Sequence, residues 1–146
     1  MEKVILLADD DADDFDIFRE SLEASRCEAK LYRAEDGATV FAFLNETANP
    51  RPDLIFLDLN MPVMNGWQTL AKLKNETAFE DIPVIMYTTS SHYRDGEIAS
   101  DLKAHGLITK PSNPRILTEV IKRIVCTLGT DDLHKAIRDA QLITQE

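Results

Sequence analysis

Asp9, Asp10, Asp58, Thr88 and Lys110 are the residues whose types and spacing could do chemistry. Each follows or closes an apolar run. Val4-Ile5-Leu6-Leu7-Ala8 leads into Asp9-Asp10, and Leu54-Ile55-Phe56-Leu57 leads into Asp58. Ile82-Pro83-Val84-Ile85-Met86-Tyr87 ends at Thr88, and Gly106-Leu107-Ile108-Thr109 ends at Lys110. Three carboxylates gathered at neighbouring strand ends repel one another and raise one another's pKa unless a cation compensates. A hard divalent ion answers that need. Mg²⁺ fits because it takes few protein carboxylates and keeps water and phosphate ligands. Lys110 adds a point charge for an anionic group, and Thr88 adds a hydroxyl donor. Carboxylate, cation and hydroxyl together make a site for phosphoryl transfer with Asp58 as nucleophile.

Taken singly, these residues carry little. The run Asp9 to Asp14 also reads as an acidic helix start, with Asp13 and Asp14 against the positive end of the dipole. Asp58 alone could be a solvated loop acid, Thr88 in its hydroxyl run a helix cap, and Lys110-Pro111 is only a dipeptide. The weight lies in their joint placement, each at the end of an expected strand.

The elements that must position them follow from periodicity. The short continuous apolar runs read as strands buried on both faces. Between them lie stretches with apolar residues three to four apart, hence helices. Pro62, Asn65 and Gly66 break regular structure after Asp58, so that acid sits under a loop. Strand and helix alternate five times, which requires crossovers and a parallel sheet. Right-handed crossovers make it a doubly wound α/β sandwich, in which ligands sit outside the carboxyl ends of the strands. The helix from Pro114 to Leu128 carries one wide apolar stripe, and Gly129 is its expected stop. The expected organisation is therefore one domain over 1–128 and a short helical C-terminal extension over 129–146. In that extension Leu133, Ala136, Ile137 and Ala140 could form one apolar stripe.

Bulk properties bound the partners. The chain has 146 residues and a formal charge of -10. That charge excludes a nucleic-acid footprint and an anionic membrane surface. No apolar run approaches a transmembrane span and no signal-peptide pattern opens the chain. The expectation is a cytoplasmic protein with Cys27 and Cys126 reduced.

The order and spacing of these groups resemble the receiver domain of two-component response regulators. The matching parts are Asp9-Asp10 after Val-Ile-Leu-Leu-Ala, Asp58-Leu59-Asn60-Met61-Pro62 with Gly66, Thr88 after its apolar run, and Lys110-Pro111. The resemblance covers about Lys3 to Val125. It is nearest in character to stand-alone receivers partnered with phytochrome-type histidine kinases. It implies a flavodoxin-like fold with strand order 2-1-3-4-5. It implies that Asp58 accepts a phosphoryl group from a histidine kinase or phosphotransfer protein, with Mg²⁺ as cofactor. Asp10, Asp58 and the Asn60 backbone carbonyl would ligate the ion, with Asp9 acting largely through water. Lys110 would bind a phosphoryl oxygen next to a cis Lys110–Pro111 bond, and Thr88 would hydrogen-bond the phosphoryl group. Such a protein is not an enzyme beyond its own phosphorylation and dephosphorylation. It would signal to an unknown downstream protein through contacts or a phosphorelay, and exposed faces of its last receiver helix could form a homodimer.

One position departs from that family. It usually has Tyr or Phe three residues before the lysine, where this chain has Leu107. Leucine has no ring to swing with Thr88, so a muted or rerouted switch is expected, and Tyr87 and Tyr93 stand near in sequence. Two other readings compete. A haloacid-dehalogenase-like phosphohydrolase needs a second acid two residues after the nucleophile, where Asn60 stands. A receiver fold kept only as a binding module is at odds with intact Asp58, Thr88 and Lys110.

Overall fold

The structure, a computed structural model, describes residues 2–89 and 92–144. Five strands, β1 (Lys3–Ala8), β2 (Ala29–Ala34), β3 (Leu54–Leu57), β4 (Val84–Thr88) and β5 (Gly106–Thr109), form one parallel sheet in the order β2-β1-β3-β4-β5. Between and after them run α1 (Ala12–Ser25), α2 (Gly37–Asn45), α3 (Gly66–Asn75), α4 (Tyr93–Asp101), α5 (Pro114–Thr127) and α6 (Leu133–Thr144). This is the flavodoxin-like α/β architecture expected from the sequence, and its strand order leaves β2 and β5 as edges.

The continuous apolar runs work because successive strand side chains point to opposite faces. Ile5, Leu7, Leu54 and Phe56 enter one core, shared with α1, α5 and α6. Leu6, Ala8, Ile55 and Leu57 enter the other, under α2, α3 and α4. Both faces are covered, so every residue of β3 is buried. In the first core the rings of Phe18, Phe56 and Tyr87 meet edge to face, with centroids 5.0 to 5.9 Å apart.

Helix starts follow local chemistry. Asp11 caps α1, its carboxylate accepting from the Asp13 and Asp14 amides. The acidic run therefore divides: Asp11 caps, Asp13 and Asp14 occupy the first turn, and Asp9 and Asp10 precede the helix. Asp36 with Thr39, and Asn65 with Gln68, form reciprocal capping boxes for α2 and α3.

After α5 the chain turns at Gly129, whose φ of +80° suits a glycine stop. The stripe read in the sequence, Leu133, Ala136, Ile137 and Ala140, is the buried face of α6. It packs against α5 and β5 of the same chain. A Cβ on Gly106 would stand 2.5 Å from Ile137 Cγ2, so this glycine lets α6 approach the strand. Gln141 Nε2 donates to the Leu107 carbonyl at 3.1 Å, satisfying an acceptor on the edge strand. Removing the residues after Gly129 is expected to lower stability by about 2–3 kcal/mol. Leu133 and Ile137 each supply about 1.5–3 kcal/mol of burial, part of which the ordering of the segment offsets. Urea unfolding of the truncated and full chains measures the difference.

Candidate functional site

β1 and β3 are neighbours, with Ala8 opposite Leu57. Their next residues, Asp9 and Asp58, therefore leave the sheet at one level. The Asp58 amide donates to the Ala8 carbonyl at 3.0 Å, and the Asp9 amide to the Ala34 carbonyl at 3.0 Å. Thr88 ends β4 opposite Thr109 of β5, and its carbonyl accepts from the Lys110 amide at 2.7 Å. Parallel register thus delivers all five expected groups to the carboxyl edge of the sheet.

The loop after Asp58 is folded back hard. The Gly66 amide donates to the Leu59 carbonyl at 2.9 Å. A Cβ on Gly66 would lie 2.3 Å from the Asp58 carbonyl oxygen, so the start of α3 presses directly on the backbone of that acid. Between them Val63 has φ of 68° and is 83% exposed. A β-branched residue is strained there. Val63→Asn is expected to raise stability by about 1 kcal/mol, because asparagine tolerates the left-handed region. Thermal unfolding reads this gain.

Asp9, Asp10 and Asp58 each present an oxygen within 4.8 Å of the others. Asp9 is fully buried; its Oδ1 accepts from the Asp11 amide at 2.9 Å and its Oδ2 from Lys110 Nζ at 2.7 Å. Lys110 Nζ also reaches Asp14 Oδ2 at 2.9 Å and Asp58 Oδ2 at 3.4 Å. Asp58 Oδ1 receives the Asn60 amide at 3.4 Å. Burial pushes the Asp58 carboxyl up to about 6; Lys110 opposes this and Asp9 adds to it. Burial alone would lower the Lys110 ammonium, but its bonds to Asp9 and Asp14 outweigh that and hold it above the usual lysine range.

Three carboxylates, Asp9, Asp14 and Asp58, thus meet one ammonium, with Asp10 beside them, and burial leaves Asp58 with a raised pKa. An all-oxygen, acidic cluster with one exposed member, Asp10, fits a hard divalent cation. A cleft of about 510 Å³ between α1 and α5 opens onto Lys110, lined by Asp14, Ile17, Tyr87, Pro111 and Thr118 among others.

Three contributors escaped the sequence reading. Asp14 was explained by the helix dipole, yet its carboxylate binds Lys110. Arg33 of β2 donates to the Asp9 and Asp10 carbonyls at 3.3 and 3.2 Å and so fixes the acidic pair. Its only sequence signal is its place near the end of β2. Tyr87 lies under Lys110, with the ammonium 5.3 Å from its ring centroid. Burial pushes its phenol up. Tyr87 belongs to the core on the α1 and α5 side, whereas Leu107 packs with the core on the opposite face. Tyr87 cannot stand in for the missing ring at Leu107. The Tyr93 side chain lies outside the described residues.

One expectation is corrected. The Lys110–Pro111 peptide is trans, with no cis bond among the described residues. The trans form is the preferred one for an X–Pro bond. In this conformation the Lys110 ammonium already meets Asp9, Asp14 and Asp58.

A parallel five-stranded fold with an acid cluster and a lysine at its carboxyl edge defines a class of signalling domain. The chain belongs to the response regulator receiver domain family, which it matches over residues 5–122. It is 37% identical to the response regulator Rcp1 of Synechocystis sp. over 127 residues, 84% of this chain and 86% of that one. The crystal structure of the Mn²⁺-bound form of Rcp1 superposes with a TM-score of 0.76 at 34% identity, covering 88% of this chain and 96% of the other. The phosphorylated cyanobacterial phytochrome response regulator RcpA gives a TM-score of 0.78 at 33% identity, covering 88% and 94%. The resemblance to receivers of the phytochrome-partner subgroup, drawn above from motifs, is thus matched in sequence and in fold. No helix among the described residues is long and apolar enough to cross a membrane.

Proposed function

We propose that this chain is a single-domain response regulator in which Asp58 accepts a phosphoryl group from a histidine kinase or phosphotransfer protein in a Mg²⁺-dependent reaction. The observation that carries this reading is the convergence of Asp58 with Asp9, Asp10 and Lys110. An Asp58 oxygen forms the bond to phosphorus as the donor's phosphorus–nitrogen bond breaks; the electron pair stays on that nitrogen, and the imidazole takes up one proton from solvent to leave neutral. Asp10, Asp58 and the Asn60 carbonyl would hold the ion, with Asp9 acting through water. When bound, Mg²⁺ supplies positive charge against the phosphoryl oxygens and the acid cluster. Lys110, near Asp58, would meet a phosphoryl oxygen, and the Thr88 hydroxyl would donate to another.

In this reading residues 1–128 are the receiver domain and 129–146 an extension docked on it. The protein works in the cytoplasm and its only catalysis is its own phosphorylation and dephosphorylation. Output passes to an unidentified protein through contacts or a phosphorelay, and the exposed side of α5 offers a homodimer contact. Leu107 carries no ring and its carbonyl is tied to α6 by Gln141, which supports a rerouted switch on that face. The test is transfer of label from a phosphohistidine donor protein to this chain, with and without chelator. Label that moves equally well in chelator, or onto Asp58→Asn, contradicts the proposal.

A further inference from the structure

The chain's two thiols, Cys27 and Cys126, are 99 residues apart in sequence, yet their Sγ atoms lie 3.4 Å apart. Neither contact partner sits on a loose segment. Cys27 follows the left-handed cap Arg26 at the end of α1, packs on the core, and its amide donates to Ser25 Oγ at 3.2 Å. Cys126 lies in the last turn of α5, next to buried Val125, and is itself exposed. α1 and α5 pack against each other, so the two cysteines are held on apposed supports. A disulfide requires sulfurs about 2.05 Å apart, so the bond needs an approach of about 1.4 Å from the 3.4 Å contact.

We propose that Cys27 and Cys126 form a reversible intramolecular disulfide, making a redox modification site at the end of the sheet opposite Asp58. The oxidant is a low-molecular-weight disulfide. The exposed Cys126 attacks as thiolate, breaks the oxidant's S–S bond and releases one small thiol. Cys27, as thiolate, then attacks the Cys126 sulfur of the mixed disulfide and releases the second. Two protein thiols are oxidised, one small disulfide is reduced to two thiols, and the two protons end on those products. The Cys126 thiol is held above its usual range, chiefly by its hydrogen bond to Cys27, so exchange accelerates with rising pH. Cys126 also lines the groove between α5 and α6 with Lys122, Lys135 and Asp139. The bond therefore pins to α1 the end of α5 from which α6 departs. It lies far from the acid cluster, so oxidised and reduced chains should be phosphorylated at equal rates.

The experiment equilibrates the full chain in glutathione and glutathione disulfide at stepped ratios. Acid quench, alkylation of remaining thiols and intact mass follow. The expected product is a monomer about 2 Da lighter than the reduced chain, with no alkylatable thiol. Cys27→Ser and Cys126→Ser should each instead carry one glutathione. Stable glutathione adducts on the unmutated chain, intermolecular dimers, or two free thiols at the most oxidising ratio would each overturn the proposal. Because the unmutated chain alone gives these outcomes, poor folding of either variant does not affect the result.

Discussion

Lys110→Met is expected to destabilise the metal-free protein by about 3–5 kcal/mol at about pH 7. The Lys110 side chain is 8% exposed and bonds Asp9, Asp14 and Asp58 at 2.7, 2.9 and 3.4 Å. Methionine keeps much of the volume and removes the charge. Asp9, wholly buried, would then face Asp10 and Asp58 with no cation bonded to its carboxylate, and stranding a buried charge costs about that much. Its bond to the Asp11 amide survives and cannot neutralise it. Proton uptake by Asp58, which titrates at about 6 even beside Lys110, limits the loss, so the deficit should shrink as pH falls through about 6. Added Mg²⁺ should restore part of it by binding the folded state alone. Urea midpoints across pH, with and without the ion, test all three statements. A loss under about 1 kcal/mol would show that the cluster does not depend on this lysine.

Asp58→Asn should act in the opposite direction, stabilising the metal-free fold at about pH 7. In the folded protein the Asp58 carboxyl titrates at about 6, against 3.8 for an unperturbed aspartate. The fold therefore holds this proton more tightly than the unfolded chain does. The resulting contribution to stability is complete below about pH 4 and is lost as pH rises through about 6. Above that, the ionised group burdens the fold by at most about 3 kcal/mol. Asparagine removes the burden but also one contact of Lys110, so the net gain expected at about pH 7 is about 1–2 kcal/mol. It should vanish near about pH 4, and thermal unfolding across that range measures it. Equal melting of the two proteins at both ends of the range would contradict the electrostatic picture. The same substitution should abolish phosphorylation. One carboxylate would then account for both the instability and the reactivity of the site.

The sheet was legible because its strands are buried on both faces. Runs such as Leu54 to Leu57 have no other use in a chain of this kind, and each expected site residue stands where such a run stops. The stripe on α6 was equally legible. What it would pack against was not, because an apolar stripe does not name its partner; Gly106, Ile137 and Gln141 supply that only in three dimensions. Asp14 was hidden because a first-turn acid already has a sufficient explanation in the helix dipole. Arg33 was hidden because its target is a pair of backbone carbonyls, which leave no trace in sequence. The question of Tyr87 and Leu107 turned on which face of the sheet each occupies. Parity along two different strands decides that, and the sequence does not show how those strands are registered. The contact of Cys27 with Cys126 depends on α1 and α5 lying side by side, so thiol count and spacing could not reveal it.

The most direct test of the central claim is intact mass after incubation with acetyl phosphate, with and without Mg²⁺, for the unmutated chain and Asp58→Asn. One phosphoryl group added only in the presence of Mg²⁺, and absent from the variant, is the predicted result. An adduct that forms equally on Asp58→Asn, or that ignores the ion, would contradict it. So would the absence of any adduct from both acetyl phosphate and a phosphohistidine donor, which would leave a receiver fold serving only as a binding module.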